Sequence, residues 1–147
     1  EHALHRKGNF RNEHHKTAVN IQFSGLWIQE NMSHYLEAYN LSNPQYNIIR
    51  ILDRAGTPLS TLQIRQRMMD KMSDTSRIVD RLVIKKLVKK TISKKDKRLV
   101  DVMLSAKGKA LIQTLKKELD PKIDSLTSNL TQKEAKQLNI LLDKMRG

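Results

Sequence analysis

The sequence predicts a mostly α-helical fold with a small β-wing, arranged as a winged helix-turn-helix lobe over residues 42–104. Apolar residues recur every three or four positions from Ile78 to Leu87, as in a helix with one buried face. They alternate with polar residues in 88–92 and again in 100–104, as in half-buried strands. A charged turn, 93–98, lies between these strands. Such a unit places its helix in the major groove of DNA and its ribbon beside it.

Long helical segments precede and follow this lobe. Residues 13–41 carry a broad apolar stripe, and residues 105–147 carry two more, begun by Ser105 and by the capping-box pair Thr131 and Glu134. This is more apolar surface than a small lobe needs for its own core, so we expect these segments to be dimerisation helices. A two-fold homodimer would set two recognition helices about one DNA turn apart, to read a pseudo-palindromic site in double-stranded DNA.

Capping signals place the helices inside the lobe. Ser42 and Gln45 have capping-box spacing, which predicts a helix from there to about Ala55. Ser60 or Thr61 begins a shorter helix, which is expected to end near residue 70. The side chains predicted to face inward on this short helix are Leu62, Ile64, Met68 and Met69.

Composition restricts the classes of function. The 147 residues are most simply one domain, 1–147, and are enough to build a core without a metal or a disulfide. Cysteine is absent, which excludes thiol catalysis and thiolate metal sites and fits a reducing cytoplasm. No apolar run approaches the roughly 18 residues of a membrane span, so no membrane partner is expected.

The net charge of +13 is concentrated on the lobe. Residues 1–43 hold four basic and four acidic side chains, 44–104 hold fifteen and six, and 105–147 hold nine and five. The segment 85–98 alone holds eight basic side chains and one acidic one. This distribution favours a polyanionic partner over a surface charged only for solubility.

The recognition helix and the turn of the ribbon supply the predicted DNA contacts. Ser73 is expected to cap the helix and, with the free N–H groups behind it, to hold a phosphate. Arg77 lies where an arginine can contact guanine with two hydrogen bonds, the alternative being an ion pair on the helix surface. The exposed helix face is predicted to carry Thr75, Ser76, Arg77, Asp80, Arg81 and Lys85. The turn supplies charge for phosphates and the minor groove through Lys94, Lys95, Lys97 and Arg98.

Four segments resemble the MarR family of bacterial winged helix-turn-helix regulators, and the resemblance covers about residues 13–145. The segments are SNPQYNIIRIL (42–52), MSDTSRIVDRLVIKKLV (72–88), DKR (96–98) and VDVMLSAKGKAL (100–111). Each is weak alone, but four in this order at these separations are specific. The glycine that the family usually has after the recognition helix is Lys86 here.

The resemblance implies a homodimer whose terminal helices intertwine and whose two lobes hold DNA. It makes Arg98 the wing arginine that enters the minor groove and Asp96 the aspartate that braces the wing. The major-groove residues it implies are Ser73, Thr75, Ser76 and Arg77. It also implies a repressor released by a small aromatic ligand. The candidate pocket residues are Trp27, Tyr35, Tyr39 and Tyr46, with ordinary packing as the alternative for each.

Other functions have less support. A nonspecific architectural nucleic-acid-binding protein is the main rival, because basic winged helices also serve that purpose without needing paired lobes. No phosphate-binding glycine loop, nucleophile elbow or zinc-protease motif indicates an enzyme or a cofactor. No metal is expected either, since the neighbouring His14 and His15 would point about 100° apart on a helix.

Overall fold

The computed structural model describes residues 10–70, 74–92 and 100–147 and confirms the mostly helical fold with a small β-wing. The elements within these ranges are α1 (Glu13–Glu37), α2 (Asn43–Ala55), β1 (Leu59–Ser60), α3 (Thr61–Arg67), α4 (Thr75–Ile84), β2 (Val88–Ile92), β3 (Val100–Leu104), α5 (Ala106–Ser125) and α6 (Gln132–Arg146). The strands form an antiparallel sheet in the order β1-β3-β2. Strand β1 was not predicted, because two residues are too few to show alternation.

Side-chain caps begin the helices at or beside the predicted positions. Capping boxes pair Ser42 with Gln45, Ser60 with Gln63 and Thr131 with Glu134. The cap of α3 is thus Ser60 and not Thr61, and the helix ends three residues earlier than predicted. Ser105 caps α5 by accepting a hydrogen bond from the Gly108 N–H at 3.0 Å.

The core lies where α2, α4 and α5 pack against β3. Its fully buried large side chains are Leu36, Ile48, Ile49, Ile64, Leu82, Ile112, Leu115 and Leu119, with Val79 and Val102. Each such aliphatic side chain contributes about 1.5–3 kcal/mol by leaving water. In the described ranges, no helix combines the length and the apolar character that crossing a membrane requires.

The structure corrects the predicted burial on α3. Leu62 is 64% exposed and Met69 is 92% exposed, so their predicted inward orientation was wrong. Ile64 and Met68 are buried as predicted. The helix has only seven residues, and Ile64 is its one buried residue, so Leu62 lies on the solvent side. The chain is extended at Met68, the C-cap, and Met69 follows it beyond the helix.

The turn after α4 joins it tightly to the start of α5. Lys86 has a φ of 60°, a left-handed conformation that favours glycine, the residue the family usually has there. Ser105 Oγ donates to the Lys86 carbonyl at 2.7 Å, and the Ser105 N–H donates to the Leu87 carbonyl at 3.0 Å. A Cβ on Gly108 would lie 2.0 Å from the Leu87 oxygen, so only glycine fits this approach.

The terminal helices leave large apolar side chains in contact with solvent. On α1 these are Phe23, Leu26, Trp27 and Ile28, and on α6 they are Leu138, Ile140, Leu141 and Met145. No residue of α6 is buried within the described chain. These helices therefore carry the apolar surface expected from the sequence, and residues 10–70, 74–92 and 100–147 of one chain do not cover it.

Candidate nucleic-acid interface

Helix α4 presents one face to the core and the opposite face to solvent. Thr75, Val79 and Leu82 are buried, while Ser76 and Arg77 are exposed in the first turn. Arg81 is exposed one turn further along the same face. This spacing sets one polar and two cationic side chains along a surface that a polyanion can reach.

Asp74, and not Ser73, caps α4. Its carboxylate accepts a hydrogen bond from the Arg77 N–H at 3.1 Å. Ser and Asp are both favoured caps, so sequence preference alone does not separate these neighbours. A phosphate at this helix end would meet the like charge of Asp74. Ser73 itself lies outside the described residues, so its predicted contact with a phosphate stays a prediction.

Thr75 was predicted to be exposed, but it is buried. Its hydroxyl donates a hydrogen bond to Met68 Sδ at 3.3 Å. The side chain thus packs the start of α4 against the end of α3. The pattern of apolar residues could not reveal this, because threonine counts as polar in it.

The two arginines of the exposed face are not tied to neighbouring acids. The alternative of an ion pair for Arg77 is not found among residues 10–70, 74–92 and 100–147. Asp80, the nearest candidate along the helix surface, instead pairs with Lys90 of β2. The Lys90 ammonium neutralises this carboxylate, so Arg77 and Arg81 dominate the charge of the face.

Strands β2 and β3 form the ribbon that was predicted beside the recognition helix. They pair from Val88 with Leu104 at the base to Ile92 with Val100 at the far end. Lys89, Lys90 and Thr91 are exposed along β2. The predicted contacts in the turn, namely Lys94, Lys95, Asp96, Lys97 and Arg98, lie outside the described residues.

Two of the four candidate pocket residues contact α5. Lys122 Nζ lies 5.6 Å from the centre of the Tyr35 ring, and the Tyr39 hydroxyl donates to the Glu118 carboxylate. This hydrogen bond to Glu118, helped by desolvation and by the Glu118 charge, raises the pKa of Tyr39 above its ordinary value. Trp27 lies two turns before Tyr35 on α1 and is 41% exposed, so it is not part of the same contact.

Tyr46 is buried against the core. Burial raises the pKa of its phenol, and the Arg50 guanidinium, 5.6 Å from the ring centre, partly opposes this shift. The aromatic candidates do not line the cavity of about 240 Å³ between the end of α2, β3 and α5. Its lining residues are Leu52, Asp53, Gly56, Thr57, Pro58, Met103, Leu104, Lys109 and Gln113. In the described part of the chain, His, Asp and Glu form no group of three that could hold a metal.

Two contacts near the interface were missed by sequence reasoning. The Lys85 ammonium, predicted to be exposed, is half-buried and donates to the Asn40 carbonyl and to Gln45 Oε1. The pair of Lys90 and Asp80 joins the ribbon to α4. Their partners are ten or more residues apart in sequence, and no local pattern links them.

Comparison with known proteins agrees with this geometry. Residues 41–100 match the model of the MarR family. The HTH-type transcriptional regulator PapX of Escherichia coli is 28% identical over 119 residues, which cover 80% of this chain and 73% of PapX.

Solved structures share the fold. A mutant of E. coli MarR in complex with operator DNA matches with a TM-score of 0.82 at 24% identity, covering 91% of this chain and 96% of that chain. BpsR of Bordetella bronchiseptica, whose DNA binding is regulated by 6-hydroxynicotinic acid, matches with a TM-score of 0.76 at 18% identity, covering 90% and 99%. The chain thus has the winged helix fold of these proteins, and its segment 41–100 is similar to the MarR family.

Proposed function

We propose that this protein is a dimeric, sequence-specific DNA-binding transcriptional regulator, most simply a repressor released by a small-molecule effector. The observation that carries the proposal is the exposed face of α4, where Arg77 and Arg81 form no ion pair with any residue of the described ranges. A solvated helix with only a structural role gains little stability from two arginines one turn apart that form no such ion pair. A helix that enters the major groove uses them for bases and phosphates.

Arg77 is the base-reading residue in this proposal. It lies in the first turn of α4, the part of a recognition helix that points at base edges. A guanidinium there can donate two hydrogen bonds to guanine O6 and N7, and Ser76 beside it can reach a base or phosphate. Arg81 is one turn further from the groove floor and suits a phosphate. Thr75 supports the helix from inside and does not read bases.

The ribbon supplies the second contact. Lys89 and Lys90 are exposed on β2. By the family resemblance, Arg98 enters the minor groove and Asp96 braces it, while Lys94, Lys95 and Lys97 contact phosphates. Arginine suits a narrow A·T-rich groove because it carries charge with less tightly held water than lysine.

The dimer in this proposal is built from the terminal helices. The proposed interface consists of solvent-facing apolar side chains on α1 and α6, among them Trp27 and Leu141. Their number and their position outside the charged lobe support this role. Two lobes related by a two-fold axis would read two half-sites. Such a regulator acts on bacterial DNA in the cytoplasm.

An effector would fit where α1 meets α5. Tyr35 lies in the last turns of α1 and Tyr39 just after its end, and both contact α5, through Lys122 and Glu118. A small aromatic ligand can stack on the tyrosine rings, and Lys122 offers a charge for an acid group. That BpsR responds to an aromatic acid supports this ligand class for the present chain.

The test is DNA binding by fluorescence anisotropy. Duplexes enriched by the wild-type protein from a random pool, and scrambled versions of them, would be titrated at low and near-physiological salt. We expect a preference for the enriched duplex that survives added salt, with two chains per site. Arg77→Ala should lose about 1–3 kcal/mol of binding free energy and relax preference at one position per half-site. Arg54→Ala, which removes an exposed arginine from α2, is the matched control.

Nonspecific architectural binding is the second candidate, supported by the excess of nine positive charges in residues 44–104. It predicts equal binding to enriched and scrambled duplexes, falling together as salt rises. In that case Arg77→Ala would weaken every duplex by the same factor, as expected for a contact to phosphate.

A further inference from the structure

The recognition helix is tied to a distant part of the chain by one side chain. Lys85, at the end of α4, donates hydrogen bonds to the Asn40 carbonyl oxygen and, at 3.2 Å, to Gln45 Oε1. Asn40 lies between α1 and α2, and Gln45 lies in the first turn of α2 and is 6% exposed. The side chain of Lys85 therefore connects the end of α4 to the junction of α1 and α2.

Further hydrogen bonds hold the junction of α1 and α2 in place. The Asn43 side-chain amide donates to the Gln29 carbonyl at 3.0 Å and to Ser33 Oγ at 2.9 Å, which fastens the start of α2 to α1. Gln45 Oε1, which accepts from Lys85, also accepts from the Ser42 N–H at 3.2 Å. The oxygen that holds Lys85 is thus already oriented by the capping box of α2.

Charge as well as geometry favours this contact. The Asn40 carbonyl follows the C-terminal end of α1, where the helix dipole places partial negative charge. A lysine ammonium has three donors and a full positive charge, so it can serve both oxygens at once. An apolar side chain of similar length can do neither.

The same turn is fastened on its other side to α5. The carbonyl oxygens of Lys86 and Leu87 accept from the hydroxyl and the N–H of Ser105, the cap of that helix. Side chain and backbone together therefore connect the end of α4 to α1 and α5, two helices of the proposed dimer.

We propose that Lys85 is a positioning residue that fixes the angle of α4 relative to the dimerisation helices and so sets the half-site spacing that the dimer accepts. This inference rests on the proposed dimeric DNA-binding function. Arg81 and Arg77 lie one and two turns before Lys85 on the same helix. Because α4 is about 15 Å long, a tilt of about 10° at its end would move its first turn by about 2–3 Å. That displacement is enough to take a guanidinium out of hydrogen-bonding range of a base.

The test compares Lys85→Met and Lys85→Arg with the wild type on duplexes that the wild-type protein has enriched from a random pool. Versions of each duplex would lengthen or shorten the spacer between half-sites by one base pair. The wild type should lose about tenfold or more on either change, as for a poorly matched site. Lys85→Met should bind the enriched duplex more weakly and discriminate among spacers by less than about threefold. Lys85→Arg, which keeps charge and donors, should restore the discrimination, and Lys117→Met, an exposed lysine on α5, should behave as the wild type.

A second measurement needs no DNA. The chain has no cysteine, so Ser76→Cys would carry the only spin label in each copy. Double electron–electron resonance would measure the distribution of distances between the two labels. This distribution should broaden with Lys85→Met and stay unchanged with Lys117→Met. Lys85→Gln, a milder change, takes the place of Lys85→Met in both measurements if the latter does not fold.

Several results would overturn the inference. If Lys85→Met weakened DNA binding equally at every spacer length and reduced its salt dependence, Lys85 would be a phosphate contact. If Lys85→Met changed neither the spacer discrimination nor the label distance, Lys85 would have no positioning role. If the wild type itself showed no spacer preference, the proposed function would fail together with the inference. A wild-type preference that Lys85→Met shares would refute the inference alone.

Discussion

The winged lobe and the terminal helices differ in how completely one chain covers their apolar side chains. Helix α2 buries six of its thirteen residues, whereas α6 buries none of its fifteen within the described chain. The lobe thus buries most of its apolar side chains in one core, to which α1 adds Leu36 and α5 adds Ile112, Leu115 and Leu119. The terminal helices expose apolar residues of the kind that usually pack against a partner.

The two regions also differ in charge. Residues 44–104 carry fifteen basic and six acidic side chains, while residues 1–43 carry four of each. The lobe is therefore suited to a polyanion, and α1 is suited to an apolar surface. In the proposed dimer, this separation would let one chain bind DNA and a second copy of itself without competition between the two surfaces.

The largest expected effect comes from placing charge on the apolar face of α6. In the double variant Leu138→Lys and Leu141→Lys, two ammonium groups would enter the proposed interface without partners. An unpaired charge buried in this way costs about 3–5 kcal/mol, which raises the Kd of the dimer by at least about 100-fold. Sedimentation equilibrium should show monomers, and binding to the enriched duplex should weaken accordingly.

Ile140→Lys is the matched control for this change. Ile140 is 57% exposed and Leu141 is 55% exposed, but residues 138 and 140 lie about 200° apart around the helix. The control should therefore remain dimeric. Dissociation of the control and not of the double variant would place the interface on the opposite face of α6.

The next largest effect is expected inside the lobe. Gly108→Ala would place a methyl group 2.0 Å from the Leu87 carbonyl oxygen and 3.1 Å from its carbon, which are backbone atoms that cannot rotate away. The free energy of unfolding should fall by about 3 kcal/mol, since either the turn or α5 must shift. Urea unfolding at fixed protein concentration, followed by circular dichroism, measures this change.

Gly25→Ala separates this clash from the general effect of adding a methyl group. Apart from the adjacent backbone of α1 itself, no atom of the described residues lies within 4 Å of the added Cβ at Gly25, which is in α1. Helix propensity alone predicts a gain of about 1 kcal/mol or less. A loss at Gly25 comparable to that at Gly108 would show that α1 is closely covered by a partner.

Much of the fold could be predicted from the sequence because its signals are local. The capping boxes at Ser42 and Thr131 and the alternation in β2 and β3 each involve residues within a few positions of one another. The errors concern burial and long-range contact. Leu62 is apolar but exposed, and Thr75 is polar but buried, because the surrounding elements decide which face of a short helix meets the core. Met69 is apolar but exposed because the helix ends before it.

For the candidate site too, local features could be predicted from the sequence and long-range contacts could not. The sequence places Ser76, Arg77 and Arg81 on the exposed face of α4, and the structure shows them there. The cap at Asp74 differs from the predicted one by a single residue, since two good capping residues stand side by side. The contact of Lys85 with Gln45 could not be predicted, because the partners are 40 residues apart and both are ordinary surface residue types.

A smaller effect is expected where the lobe departs from the pattern of the family that it resembles. Lys86 has a left-handed backbone, which costs a residue with a Cβ about 1 kcal/mol relative to glycine. Lys86→Gly should therefore raise the free energy of unfolding by about 0.5 kcal/mol, because the more flexible unfolded chain offsets part of the gain. Urea unfolding measures this. Lys89→Gly, in a strand, should destabilise the protein instead, and stabilisation by both changes would contradict the explanation.

The smallest expected effect is on the pH response at the start of α6. The Thr131 hydroxyl and N–H donate to the Glu134 carboxylate at 2.7 and 2.8 Å and hold the pKa of that carboxyl below its ordinary value of 4.5. Because the folded pKa is the lower one, the stabilisation is present above the ordinary pKa and is lost as pH falls through the folded value. Carbon-detected NMR titration of Glu134 should show a midpoint below 4.5 that returns toward it in Thr131→Ala. Ser128→Ala, whose hydroxyl donates to the Ser125 carbonyl, should leave the midpoint unchanged, and a shift there would point to general fraying of the helix start.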